Sequence, residues 1–594
     1  MLTARSAACA LTVHPSTTQS LGCFGGHAIA KGPFPGMRRV ARVRPKATRC
    51  PLPLDGRRSG VQVEVVDSLT GPAASRSEQE HIHRWAVVVV LCVSILIVNV
   101  DTTILNVALP TLVRRLHATT SQLQWIVDSY AMVLAGLLLV GGGLADRFGR
   151  KRFFLLGLTV FAGGSTGAAF SGSVDALIAC RAVMGAGAAV MMPSTLSIIN
   201  DVFRDPAERA RAIGAWAGTS GLGIAIGPIA GGLLLARFWW GSIFLVNVPI
   251  AVAGIVAALA LVPDSKNPAV ERPDPGGAVL SIAGFGLLLW AIIEAPIDGW
   301  TSPSVVGVGL ASLVILATFV GWEFRSRHPM LKLKFFSERR FSVAAASETL
   351  GMFGLLGALF VQTQFLQFDL GYSPLRAGLR ILPIAAVLAV TATVSPLLAR
   401  AIGTKLTVAA GLAAIAGGLC QIAAISTVAI TYGDVVPGMM LIGLGAGLLI
   451  PTATNSVVGS VPRGDAGVGS ATNGVALQVG GALGVAVIGS VLSTRYQDRM
   501  DTVLSGRHVP AVAAHAIIGS LGGALTVARD IGGVTGELLA NVARAAFMSG
   551  ARASMAAGAG VALGGALLVL VRLPSRAARH EPDSGVDTEQ RSAV

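Results

Sequence analysis

Apolar runs of about 18 residues or more, almost free of charge, recur from Ala86 to Val571. Each is long enough to cross the ~30 Å hydrocarbon layer of a bilayer as an α-helix. A helix also satisfies its own backbone polar groups, which lipid cannot do for it. The fold class expected is therefore an all-α membrane protein. Composition agrees, because 13% of the 594 residues are charged, whereas a soluble domain carries about 25%.

The formal charge of +15 raises nucleic acid as a partner. The basic residues, however, sit in the N-terminal tail and in short loops, without interleaved aromatics or a binding module, so none is expected. The lipid bilayer accounts for them better. The six cysteines, Cys9, Cys23, Cys50, Cys92, Cys180 and Cys420, show no CxxC spacing, and neither a disulfide nor a metal site is expected. No GxxxxGK[ST] pattern occurs, so a gradient rather than ATP is the expected energy source, with no cofactor.

Residues 1–84 are rich in Arg, Pro, Gly and Ser and lack the apolar core of a signal peptide. They are expected to be disordered, and an over-extended start upstream of the true one is an equal expectation. Fourteen spans follow. A six-helix group over 85–262, an extra pair over 276–322 and a second six-helix group over 341–572 make up the expected organisation, with a cytoplasmic tail at 573–594. Basic clusters fall after span 2 (Arg147, Arg150, Lys151, Arg152), around Arg204 to Arg211, between spans 8 and 9 (Arg325 to Arg340) and after span 14 (Arg572, Arg576, Arg579). All follow even-numbered spans, which places both termini in the cytoplasm; Arg114 and Arg115 run against the pattern. Residues 493–551 are expected to form a long external loop, with the marginal run Val509–Val527 as a surface-lying helix. Two six-helix halves suit alternating access around a central cavity.

After span 2 the chain reads Gly142-Gly143-Leu144-Ala145-Asp146-Arg147-Phe148-Gly149-Arg150-Lys151-Arg152. Small residues there let backbones approach and turn, and Asp146 is expected against a neighbouring helix N-terminus, a contact of roughly 0.3–1 kcal/mol. This stretch resembles the GxLaDrxGrkr signature of the major facilitator superfamily almost letter for letter. Span 5 carries Gly223, Gly227, Pro228, Gly231 and Gly232. Its first, second and fourth members lie four apart on one helix face, where another helix can approach closely, and Pro228 removes a backbone hydrogen bond. The pattern is similar to the family's antiporter motif gxxxGPxxGG, which in that resemblance separates exporters from uptake systems. Span 1 around Asn99-Val100-Asp101-Thr102-Thr103 and span 2 around Gln124-Trp125-Ile126-Val127-Asp128 look like the fourteen-span drug:proton antiporter family. Arg181, in Leu177-x3-Arg181-x2-Met184-Gly185-x-Gly187, is similar to the superfamily's motif around a membrane-embedded arginine, with Met184 where Gln is usual. What the resemblance implies is a major facilitator fold of two six-helix bundles plus two extra helices. The function implied is proton-coupled export of small hydrophobic or amphipathic compounds, by a secondary transporter rather than an enzyme.

At 1.5 Å per residue Asp101 lies ~12 Å from the outer end of its span, and Asp128 and Arg181 each ~10 Å from theirs, so all three share one layer. A charged side chain near the bilayer centre costs at least about 2.5–3.5 kcal/mol. Asp101 is therefore the expected carrier of the proton with Arg181 as its counter-charge, Asp128 being the other candidate and a static structural ion pair the bland reading. Glu348, ~10 Å from the cytoplasmic side, is a candidate to receive a cationic substrate or protons, with snorkelling toward the interface as its alternative. An uptake carrier is the closest rival function, and a membrane-embedded transferase is disfavoured because residues 493–551 offer only scattered acids. A monomer is expected.

Overall fold

The computed structural model describes residues 27–29, 40–42, 72–203, 205–266, 274–326, 329–426, 430–461, 466–505 and 508–573. Most of the expected N-terminal tail, Arg204, Arg327, His328 and residues 574–594 lie outside the described residues. Within the tail, β1 (His27–Ile29) pairs antiparallel with β2 (Val40–Arg42). All the other regular structure described is helical.

The first six expected spans are α1 (Pro72–Leu116), α2 (Thr120–Phe148), α3 (Arg150–Ala169), α4 (Val174–Val202), α5 (Pro206–Arg237) and the pair α6 (Ser242–Leu245) and α7 (Asn247–Leu261). The extra pair is α8 (Pro275–Asp298) and α9 (Pro303–Arg325). The second group is α10 (Arg339–Gln364), which ends in a π-helical turn over Phe365–Asp369, then α11 (Pro374–Ile402), α12 (Thr404–Ile425), α13 (Tyr432–Gly459), α14 (Ala466–Leu504) and, last, α17 (Gly533–Arg572). Between the final two lie α15 (Ala511–Gly519) and α16 (Leu521–Ile531). Among the described residues, twelve segments are long and apolar enough to cross a membrane. The remaining two expected spans coincide with α3 and α5, helices of 20 and 32 residues.

One local rule starts many of these helices. In Asp205-Pro206, Asp274-Pro275, Ser302-Pro303 and Ser373-Pro374 a polar side chain accepts from the first-turn amides, and the proline that follows supplies the helical φ where no N–H is needed. α1 likewise has a proline, Pro72, at its first position, and it is helical through residues 72–84, where the sequence suggested disorder. That stretch has no apolar period but contains helix-compatible Ala, Ser, Arg, Glu and Gln.

The long loop expected over 493–551 is also corrected. α14 continues to Leu504 and α17 begins at Gly533, so both helices project well beyond their apolar segments. The extension of α14, Thr494-Arg-Tyr-Gln-Asp-Arg-Met, is polar yet free of helix breakers, and that of α17 intersperses Glu537, Asn541 and Arg544 among Leu and Ala, which favour helix. The apolar run Val509–Val527 is split by Ser520, which is extended at φ −168° and caps α16 through Gly523. Helices of 9 and 11 residues rise only about 14–17 Å, too short to span. They form a hairpin over the end of the bundle where α2 begins: Thr120 donates to the Gly519 carbonyl at 3.1 Å and Tyr496 to that of Ile517 at 2.9 Å. We call this end the hairpin face.

α8 packs on both α2 and α14, and α9 packs chiefly on α8. The outer surface of α9 is apolar and bare, Leu310 being 59% and Phe324 73% exposed, as suits a helix facing lipid. Asp274 ties the pair by accepting from Trp322 Nε1 at 2.7 Å.

Inside the second group α10 and α14 touch backbone to backbone. A Cβ on Gly484 would lie 2.7 Å from Phe353 Cα, closer than packed atoms approach, so Gly484→Leu must separate the two helices. Overpacking of this kind costs about 1–3 kcal/mol. Gly484→Leu is expected to lower the unfolding temperature and the monodisperse yield on size exclusion. Gly560→Ala, whose Cβ meets nothing within 4 Å, should match or exceed wild type because alanine favours the helix by roughly 0.5–1 kcal/mol.

Candidate functional site

Five helices converge on one charged pair. Asp101 in α1 is fully buried and Arg181 in α4 is 1% exposed. Arg181 Nη1 donates to Asp101 Oδ2. The rest of the guanidinium is also occupied: its Nε donates to the Ile126 carbonyl of α2 at 3.1 Å, and its carbon lies 4.5 Å from the Tyr130 ring centroid. The other carboxylate oxygen, Oδ1, accepts from Asn247 Nδ2 of α7 at 3.0 Å. That same amide reaches Ser165 Oγ of α3 at 3.1 Å, and Ser165 donates to the Phe244 carbonyl at 2.8 Å. Removing one member of such a buried pair leaves an uncompensated charge, a loss of about 3–5 kcal/mol.

The sequence reading missed Asn247 and Ser165, and it placed Tyr130 in the span 2 motif Gln124–Tyr130 without a role. Asn247 carries the only legible signal, a lone amide inside the apolar run Ile243-Phe-Leu-Val-Asn-Val.

Asp128 does not join this centre. It is fully buried, and neither carboxylate oxygen has a hydrogen-bond partner. Ile126 and Tyr130 face Arg181, so Asp128, lying between them in sequence, falls on the opposite side of α2. It shares a stripe with Gln124 four residues earlier, and Gln124 Nε2 donates across to the carbonyls of Val485 and Ala486 in α14 at 3.2 and 2.8 Å. Asp128 is thus on the side of α2 that meets the second group.

At the other end of α2, Gly149 makes the turn into α3 alone, with φ +126°, a conformation that suits glycine. Arg150 Nε pairs with Asp146 at 2.6 Å, and its Nη1 pairs with Asp201 at the end of α4. Lys151 Nζ donates to the Leu259 carbonyl at 3.0 Å, and Arg147 lies over the Phe148 ring at 5.7 Å. Gly142 lets Pro193 of α4 approach, its Cβ position being 3.1 Å from Pro193 Cβ. The partner recorded for Asp146 is therefore Arg150, one turn along across Gly149, rather than the N-terminal dipole of a neighbouring helix. The ion pair is available at shorter reach.

The glycine face of α5 is occupied as its spacing suggests. Cβ atoms on Gly223 and Gly231 would lie 2.5 Å from Asn99 Cβ and 2.7 Å from Ile104 Cγ1, and one on Gly227 would collide with Thr103. Thr103 donates to the Gly223 carbonyl at 3.0 Å. Gly232 and Pro228 turn instead to α11: a Cβ on Gly232 would lie 2.5 Å from Leu375 Cα, and Gly378 abuts the Pro228 carbonyl. One helix thus packs on its own group and on the other.

Glu348 in α10 is fully buried rather than snorkelling. It accepts from Thr454 Oγ1 of α13 at 2.6 Å, and the Asn473 amide of α14, with its nitrogen turned to the carboxylate, donates to it as well. The second group therefore has a carboxylate held by neutral donors, in contrast to the cation-paired acid of the first.

Residues 91–485 match the family model for the Major Facilitator Superfamily. The chain is 35% identical to the multidrug efflux pump LfrA of Mycolicibacterium smegmatis, over 78% of this chain and 92% of that protein. It is 31% identical to the tetracenomycin C resistance and export protein of Streptomyces glaucescens, over 86% and 95%. With the methyl viologen resistance protein SmvA of Salmonella typhimurium it shares 30% identity over 78% and 93%. In fold it is similar to a bacterial homolog of the human lysosomal transporter Spinster in an inward-facing, occupied conformation, with a TM-score of 0.57 over 85% of this chain and 97% of that one at 16% identity. A buried charge centre in the first group, a glycine seam between the groups, the signature turn after α2 and these matches agree: the chain is a multi-pass membrane transporter and belongs to the Major Facilitator Superfamily.

Proposed function

We propose that this protein is a proton-coupled antiporter that exports small hydrophobic or amphipathic compounds across the cytoplasmic membrane, working as a monomer with both termini in the cytoplasm. The observation that carries the reading is the Asp101–Arg181 pair, a titratable acid wholly enclosed by helices and bound to a cation. Protonation of Asp101 removes its charge and releases the Nη1 bond. Arg181 keeps the Ile126 carbonyl and the Tyr130 face as partial compensation. The two protonation states therefore hold α1 and α4 differently, which a transport cycle requires of its coupling group. Asp128, buried without a partner where α2 meets α14, is the second proton-carrying candidate.

Export is favoured by the relatives, whose names describe efflux, export and resistance. The intact glycine and proline seam of α5 supports the same direction against the uptake reading. Glu348 gives the second group a carboxylate free of any cation in its recorded bonds, suited to a positively charged substrate. Methyl viologen, in the name of one relative, is a dication. The energy source on this reading is the proton gradient, with no cofactor.

In inverted membrane vesicles energised by respiration, addition of a lipophilic cationic dye is expected to release protons from the lumen. Asp101→Asn, whose amide oxygen can still accept from Arg181, should abolish this exchange when activity is compared per amount of folded protein recovered by size exclusion; exchange that persists unchanged removes Asp101 from the coupling role. Gly227→Val must displace Thr103 and is expected to slow export about tenfold or more, since an overpacking strain of ~1.4 kcal/mol placed on one state is a tenfold change in its population. Export at the wild-type rate would mean that the α1–α5 seam plays no part in the cycle.

A further inference from the structure

The connection between α14 and α17 does more than close the hairpin face. Beneath it lies a cavity of about 720 Å³, bounded by α16, the first turns of α17, the end of α1, the π-helical turn and the start of α11. Three guanidinium groups line it, Arg114 of α1, Arg529 of α16 and Arg544 of α17, together with Gln367 and Thr526, against a single lining acid, Glu537. None of the three arginines forms a salt bridge among the described residues. Arg114 has a hydroxyl, Thr111 Oγ1 at 3.3 Å, and lies over the Phe368 ring at 5.8 Å. Arg544 Nε and Gln367 Oε1 are buried without a hydrogen-bond partner, as is Oδ1 of Asp369 near Arg544.

Like charges gathered around one chamber repel one another, most strongly where water is reduced. A guanidinium offers a planar fork of donors that matches a carboxylate or phosphate. The volume lies within the range of sites that take small organic ligands, about 300–1,000 Å³. We infer that this chamber binds an anionic group, a carboxylate or phosphate, held between Arg529 on the hairpin, Arg544 on α17 and Arg114 on α1. The bound anion joins the first helix of one group to the last helix of the other and fastens the hairpin over both, so it stabilises the closed hairpin face. A free anion and the headgroup of an acidic phospholipid share this chemistry. The inference is independent of the proton centre and of the direction of transport.

The test uses the full chain purified in a neutral detergent, with inorganic phosphate replacing chloride at constant ionic strength. A ligand that binds only the folded protein raises its stability in a saturable way. For a free anion, the unfolding temperature of the wild type should rise saturably with phosphate, half-maximal at or below about 1 mM. The half-maximal concentration should increase about tenfold or more in Arg529→Gln, which leaves no buried group unpaired because Arg529 is exposed. Arg114→Gln, also at an exposed position, is the second variant. For a lipid headgroup, phosphate has no effect, and native mass spectrometry finds phosphatidylglycerol retained over phosphatidylcholine by the wild type and lost by the variants. The proposal is overturned if the wild type distinguishes neither phosphate from chloride nor the two lipids, or if wild type and variants respond alike.

Discussion

An ionised carboxylate and a guanidinium that are wholly enclosed must find each other, because neither has water to return to. That requirement organises the first helical group. Asp101 fixes the rotation of α1 and Arg181 that of α4. Because Arg181 also needs a carbonyl and a ring, Ile126 and Tyr130 of α2 are drawn to the same point. Asn247 then brings α7 to the free carboxylate oxygen and Ser165 anchors α3 behind it. The polar atoms at this junction are bonded in a chain, and the apolar side chains of the surrounding helices pack where the chain permits.

The second group meets a smaller version of the same problem. Glu348 has hydroxyl and amide donors but no cation in its recorded bonds. Its helix, α10, instead gains its position from direct backbone approach, as at Gly484 and Phe353. One half is thus oriented by an ion pair and the other chiefly by close contact of small residues, although both present a single buried acid from their first helix.

The sequence reading located the helices well because a span is a property of composition along the chain, and lipid makes that property strict. It failed where helices leave the apolar layer. The end of α14 is polar and the start of α17 is interrupted by Glu537, Asn541 and Arg544, yet both are helical, so a criterion of unbroken apolarity ended them too soon. Depth was legible and direction was not. Counting 1.5 Å per residue puts Asp101, Asp128 and Arg181 in one layer, yet two residues along a helix rotate a side chain by about 200°. Asp128 therefore turns away from the arginine that Ile126 and Tyr130 face. Asn247 escaped because a single amide in an apolar run carries no spacing pattern to mark it. The glycines of α5 were legible as a face because three of them repeat at one helical turn, but nothing local identifies α1 and α11 as the helices they meet.

Charged and neutral contacts are also distributed unequally. The ion pair of Asp101 with Arg181 lies within one group, whereas the hydrogen bonds described between the groups have neutral donors and acceptors: Gln124 to Val485, Ala486 and Ser490, Gln367 to Val107, and Thr120 to Gly519. Such a neutral bond contributes only about 0.5–1.5 kcal/mol net, so the two groups can separate and rejoin without exposing an unpaired charge. The link between the two kinds of contact is short. Two residues beyond Asp101, Thr103 bonds the Gly223 carbonyl and fills the space beside Gly227, and the same α5 presents Pro228 and Gly232 to α11. On the proposed reading, a change of charge at Asp101 shifts α1 against α5 at a place where no side chain can absorb the movement, and α5 passes it to the seam with the second group.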